Sequence, residues 1–132
     1  MSMKRRFEGL FAFCASFGHA CRGIVFAFRS QRNFRIHLLA ATLVLVAAFA
    51  FKLSRTEIIL LLLTSILVIT AELLNTAIEY VLNLLEARHH PVVKTAKDVA
   101  AGGVLLTVGA SILVGLMIFG PPLLVRLRSC CR

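Results

Sequence analysis

From Ile58 to Leu85 the chain is a long apolar run, most of it Leu, Ile and Val. At 1.5 Å per residue such a run, if helical, outreaches the ~30 Å hydrocarbon core of a bilayer. A run of this length restricts the fold to a membrane-spanning helix. Its composition also carries an anomaly. With a helical period of 3.6, Glu72, Asn75, Thr76, Glu79, Asn83 and Glu86 fall within one narrow stripe, which Ser65 extends. A charged residue at the centre of a spanning helix costs about 2.5–3.5 kcal/mol on insertion scales. Two carboxylates therefore need about a dozen Leu, Ile or Val at roughly −0.3 to −0.6 kcal/mol each. The run supplies about that many, so it still inserts. Its polar seam is expected to face a bundle interior or a water-filled site. The plain alternative is a polar contact between helices.

The rest of the chain fits a membrane reading. Of 132 residues, 59% are hydrophobic and gathered in blocks, too apolar for a soluble domain of this size. The net charge of +9 lies outside those blocks, as topology signals and attraction to anionic lipid require, and no nucleic-acid motif accompanies it. The four cysteines, Cys14, Cys21, Cys130 and Cys131, lack metal-ligand spacing. Cys14 and Cys21 share a helix face as small apolar residues. The stretch Phe7 to Phe28 is broken by Ser16, Gly18, His19, Arg22 and Gly23, which argues against a cleavable signal peptide.

The expected organisation is all-α: one membrane domain over residues 1–132, with spans at about 36–53, 58–85 and 99–119. An amphipathic helix at about 7–30, rich in Phe, is expected to lie on the membrane surface, with Gly18 and Gly23 as places to interrupt or bend it. Residues 52–57 are expected to form a tight loop and Glu86 to Lys97 a polar one, with Pro91 ending any helix and Pro121-Pro122 stopping the last span. Gly102, Gly103, Ala110, Ser111 and Gly115 read as small residues for close helix packing. The excess of Lys and Arg before the first span puts the N-terminus in the cytoplasm. Three spans then place Arg126, Arg128 and Arg132 outside, against the usual bias.

This topology brings Gln31, Glu72, Asn75, Glu79, Lys97 and Asp98 to one cytoplasm-facing end. Glu72 lies about 10 Å deeper than Glu79. A partly desolvated Glu72 suits a general base toward a hydroxyl. Glu79 near the surface suits Mg²⁺, which takes oxygen ligands and often only one or two protein carboxylates beside phosphate oxygens. Lys97 suits a phosphate as a point charge. The chemistry these groups fit is phosphoryl transfer from a water-soluble donor to a membrane alcohol. No Gly-x-x-x-x-Gly-Lys loop or kinase Gly-rich loop is present. The structural alternatives are an interhelical hydrogen bond for Asn75, an ion partner for Glu79, an interface anchor for Lys97 and Asp98, and solvated loop for His89 and His90. At the level of function, a proton-conducting bundle competes, disfavoured by the Lys97-Asp98 pair and by spans one and three lacking polar seams.

Glu72-Leu-Leu-Asn75-Thr-Ala-Ile-Glu79, followed by Lys94-Thr-Ala-Lys97-Asp98-Val-Ala-Ala, resembles the small prokaryotic diacylglycerol kinase family. Arg32-Asn33-Phe34-Arg35-Ile36-His37 and His89-His90-Pro91 resemble its undecaprenol kinase branch. The resemblance covers about Gly18 to Phe119. It implies a homotrimer in the bacterial inner membrane, with sites shared between subunits, that phosphorylates a lipid alcohol using ATP and Mg²⁺. The acceptor it implies is undecaprenol first and diacylglycerol second. By position Glu72 becomes the catalytic base and binds the lipid substrate, and Glu79 the metal ligand. Asn75, Glu79, Lys97 and Asp98 line the nucleotide site, which His19 and His89 also approach. Gln31 stands where the family has a glutamate that binds metal and nucleotide, and Asn83 where it usually has an aspartate. Those two losses of charge leave open a weakly active or non-enzymatic protein of the same fold that binds nucleotide or lipid.

Overall fold

The computed structural model describes residues 3–85 and 91–130, and they form four helices. These are α1 (Met3–Ser30), α2 (Arg32–Ala50), α3 (Arg55–Leu85) and α4 (Pro91–Cys130). Three of them, α2, α3 and α4, are long and apolar enough to cross a membrane. The centre of the bundle is α3, with α4 packed along it most extensively, α2 beside it, and α1 touching both α2 and α3 lightly.

Burial is inverted relative to a soluble protein. Ser65, Glu72, Asn75 and Thr76 are buried, whereas Leu60, Leu63, Leu67, Leu74, Leu105, Leu106 and Met117 are exposed. An extensive exposed Leu surface fits hydrocarbon surroundings, which a carboxylate escapes by facing the bundle interior. The densest apolar cluster joins Ala48, Leu61 and Ile118, with Val44, Leu53, Ile58, Val114 and Phe119 packed around them. All of it lies toward the α2–α3 hairpin.

That hairpin is short because both helix ends are satisfied locally. The end of α2 forms a Schellman motif: Leu53 N–H donates to Ala48 O (3.1 Å) and Lys52 N–H to Phe49 O (3.0 Å). The motif needs a left-handed residue, and Lys52 takes it at φ 55°. Ser54 and Glu57 then form a capping box at the start of α3. Ser54 N–H donates to Glu57 Oε2 (2.7 Å), and Glu57 N–H donates to Ser54 Oγ (3.4 Å). A side chain at a left-handed position costs about 1–2 kcal/mol, which glycine avoids. Lys52→Gly is therefore expected to stabilise the protein by about 1 kcal/mol, read as a higher thermal midpoint in detergent. A lower midpoint would remove the left-handed cap from the account.

Three expectations are corrected. Gly18 and Gly23 do not break α1, which is continuous from Met3 to Ser30. The break comes at Gln31, whose extended backbone (φ −107°, ψ 119°) separates α1 from α2. Pro91 does not end a helix but begins α4, so residues 91–97 are helical rather than loop. The first position of a helix has no partner for its N–H, so proline sits there without loss. Finally, α4 runs through Pro121 and Pro122 to Cys130. Interior proline costs about 3 kcal/mol or more. Beyond the prolines α4 is tied to the end of α2: the Arg126 guanidinium lies 4.3 Å from the centre of the Phe51 ring and donates to Ala50 O at 3.3 Å. Phe51 in turn meets Phe119 edge-on at 5.7 Å. A cation at the C-terminal end of α2 also complements that helix's dipole.

A Cβ added at Gly102, Gly103, Gly109 or Gly115 would meet nothing within 4 Å.

Candidate active site

The seam on α3 separates into structural and chemical members. The hydroxyls of Ser65 and Thr76 donate to the backbone of their own helix, Ser65 Oγ to Leu61 O (2.7 Å) and Thr76 Oγ1 to Glu72 O (2.8 Å). Each is thereby satisfied in a buried setting. Asn75 and Glu79 are paired one turn apart: Asn75 Nδ2 donates to Glu79 Oε1 at 3.0 Å. A carboxylate only accepts, so the amide must turn its nitrogen toward Glu79. Asn75 Oδ1 is thereby directed elsewhere, and it is buried without a partner. An orphaned buried carbonyl oxygen costs about 1–3 kcal/mol unless something polar reaches it. The Glu79 carboxylate is the kind of oxygen that a hard cation such as Mg²⁺ takes.

Glu72 lies deeper on the same face and is 3% exposed. The groups acting on it electrostatically are His37 of α2 and Glu79. Helix α1 docks beside this region through Phe26 and Tyr80, whose rings meet edge-on at 5.1 Å. Between α1 and α3 is a cavity of about 600 Å³, lined by Ala20, Gly23, Phe26, Leu73, Thr76 and Tyr80 among others. His19 is exposed on α1, and Arg22 donates to its Nδ1 at 2.8 Å.

The remaining sequence candidates lie on other elements. Gln31 is half-buried at the α1–α2 junction, where its N–H donates to Ala27 O (2.8 Å) and its side chain caps nothing. Lys97 is half-buried and Asp98 exposed, both near the start of α4. Asn83 is exposed. His89 and Glu86 fall outside the described residues. Among the described residues, no group of three or more His, Cys, Asp or Glu is placed to hold a metal. His37, half-buried on α2, acts electrostatically on Glu72, which a residue-by-residue reading of α3 does not reach. Its signal was a histidine just inside an otherwise apolar span.

A sequence profile described as Prokaryotic diacylglycerol kinase matches residues 18–119. The chain belongs to this family. The match begins within α1 and ends just before the proline pair of α4, so it contains every described candidate residue. Over 123 residues the chain is 42% identical to a protein named undecaprenol kinase from Bacillus subtilis, covering 93% of this chain and 100% of that one. It is 46% identical over 110 residues to a diacylglycerol kinase of Synechocystis, covering 83% of this chain and 63% of the relative. A diacylglycerol kinase of Pseudomonas aeruginosa is 36% identical over 104 residues, 74% of this chain and 85% of the relative. As a diacylglycerol kinase family member with three long apolar helices, the chain is a multi-pass membrane lipid kinase.

Proposed function

We propose that this protein transfers the γ-phosphoryl group of ATP to undecaprenol, with diacylglycerol as the second candidate acceptor. The observation that carries the reading is the single face of α3. It holds a buried carboxylate, Glu72, about two turns from Glu79, with Asn75 between them. That spacing suits a reaction between a lipid hydroxyl at depth and a nucleotide nearer the membrane surface. Undecaprenol ranks first because likeness to the Bacillus protein extends over that protein's whole length.

In this reading Glu72 removes the proton of the lipid hydroxyl as its oxygen bonds to the γ-phosphorus. The bond from that phosphorus to the bridging oxygen breaks, and ADP departs with the electron pair. Glu79 would hold Mg²⁺, which when bound would supply positive charge for the transferring phosphoryl group, and Asn75 would line the nucleotide site. Gln31 adds a neutral oxygen at the same end of the bundle, and Lys97 a positive charge. Asp98, His19 and His89 contribute to nucleotide binding.

The protein works as a homotrimer in the bacterial inner membrane, with its N-terminus in the cytoplasm. The open glycine face of α4 supports contact between copies, and the Lys and Arg excess ahead of α2 supports the orientation. The test is phosphate transfer from labelled ATP to a panel of lipid alcohols by purified protein in detergent. Labelled undecaprenyl phosphate is the expected product. Transfer to none of the alcohols would overturn the reading, and transfer to diacylglycerol alone would select the second acceptor.

Gln31→Glu is expected to raise the rate several-fold at scarce magnesium and to have little effect at high magnesium, because it adds an anionic oxygen ligand. Initial rates against magnesium at fixed ATP decide this. Superimposable normalised curves for the two proteins would remove Gln31 from the metal site.

A further inference from the structure

The hairpin end of the bundle carries charge that phosphoryl transfer does not use. Lys52 and Arg55 are exposed in and beside the α2–α3 turn, and Arg126 is exposed on α4. The fold brings the three together. The Arg126 guanidinium lies over the Phe51 ring and donates to Ala50 O, the two residues just before Lys52. Among the described residues the carboxylate at this end is Glu57, and its Oε2 accepts from Ser54 N–H and Ser54 Oγ, each at 2.7 Å. One carboxylate against three cations leaves the end positive, and the sequence continues with Arg128 and Arg132. Arg126 lies beyond residues 18–119, so the family match does not account for it. Apolar surface adjoins the charge. Phe49 is exposed at the end of α2, and Leu123 and Leu124 are exposed on α4 just before Arg126. A groove of about 380 Å³ between α2 and α4 reaches Phe119, whose ring meets Phe51 edge-on.

We propose that this end of the bundle binds an anionic phospholipid: Arg126, Lys52 and Arg55 take the phosphate of its headgroup, and Phe49, Leu123 and Leu124 take the upper part of its acyl chains. This lipid is not the substrate. It sits at the end of the spans away from the Asn75–Glu79 pair, and its binding does not depend on transfer. Phe51 and Ala50 O set the orientation of the Arg126 guanidinium, and an oriented planar fork of donors matches phosphate geometry. Lys52 adds a point charge beside it. The occupant is a lipid rather than a soluble anion because the cations crown apolar spans and the exposed side chains below them are Phe and Leu. A zwitterionic headgroup brings its own cation to an end that is already positive, so the site favours a headgroup with net negative charge. Such a lipid also gives a reason for Arg126, Arg128 and Arg132 to stand on the side where the Lys and Arg bias argues against them.

The chain has no tryptophan, so Leu123→Trp places a single fluorescent reporter at the site. The full chain with this change is reconstituted in phosphatidylcholine vesicles in which brominated phosphatidylglycerol, or brominated phosphatidylcholine, replaces part of the lipid. Bromine on the acyl chains quenches tryptophan on contact, so the two quenching curves give the preference for the anionic lipid at this position. A cation beside an anionic membrane surface is worth about fivefold, and a preference of about tenfold is expected for the three. Adding Arg126→Gln, Lys52→Gln and Arg55→Gln is expected to abolish it. Lys52→Gln with Arg55→Gln leaves the Arg126–Phe51 contact in place and is expected to lower the preference severalfold, which keeps the test open should the triple change prevent folding. Equal quenching by the two lipids in Leu123→Trp overturns the proposal. So does a preference that survives both sets of changes, which assigns the anionic lipid to the basic segment ahead of α2. Loss of the preference in sodium phosphate, but not in sodium chloride of equal ionic strength, overturns it in favour of a free phosphate ion.

Discussion

Glu72→Gln is expected to lower phosphoryl transfer by about 10²–10⁴-fold, the usual contribution of a positioned general base, while MgATP still binds. The change keeps shape and removes only the ability to take a proton. The side chain is 3% exposed, so water is poorly placed to substitute for it. Its distance along α3 from Glu79, about two turns, sets it apart from a metal held at Glu79. Neutralising a buried carboxylate also removes a desolvation cost, so the thermal midpoint is not expected to fall. Nucleotide binding measured by calorimetry and turnover measured with labelled ATP separate the two roles. A variant that loses ATP binding as completely as transfer would make Glu72 a nucleotide ligand instead.

Glu79→Gln is expected to fail differently. It should weaken MgATP binding roughly a hundredfold, the scale of losing one charged partner of about 3 kcal/mol, and leave binding of ATP without magnesium nearly unchanged. The geometry sharpens the expectation. Asn75 Nδ2 now donates to Glu79 Oε1, which fixes Asn75 Oδ1 in its unpartnered orientation. The introduced amide still accepts one hydrogen bond through its oxygen, so the local helix is kept while the anionic ligand is lost. Equal weakening of ATP binding with and without magnesium would assign Glu79 to the nucleotide itself rather than to the metal.

The three apolar helices and the seam on α3 were legible because hydrophobic length and a 3.6-residue period are local properties. The boundaries were less so. Pro91 and Pro121 carry the same warning in sequence, yet one opens a helix and the other lies inside it. Position decides for Pro91, and beyond Pro121 the helix is tied to α2 by the distant contacts of Arg126 with Ala50 and Phe51. The hairpin had a readable signal at its second half, the Ser54-Arg-Thr-Glu57 spacing of a capping box. It had none at Lys52, where a lysine occupies a glycine-like conformation. In the site, Glu72, Asn75 and Glu79 could be aligned from one helix alone. His37 could not, because its effect on Glu72 depends on how α2 lies against α3. Gln31, Lys97 and Asp98 pose the same problem from three different helix ends.

The distribution of packing along α3 has a consequence for how such a chain drifts under selection. The cluster of Ala48, Leu61 and Ile118 holds the hairpin end, while the buried Glu72, Asn75 and Thr76 lie just past the middle of α3. Depth along one helix therefore sorts substitutions into two heritable classes. Changes near the hairpin alter how much protein survives, and changes near the carboxylates alter what each surviving molecule does. A lineage can thus adapt to a hotter habitat or a thicker bilayer at one end without renegotiating its chemistry at the other.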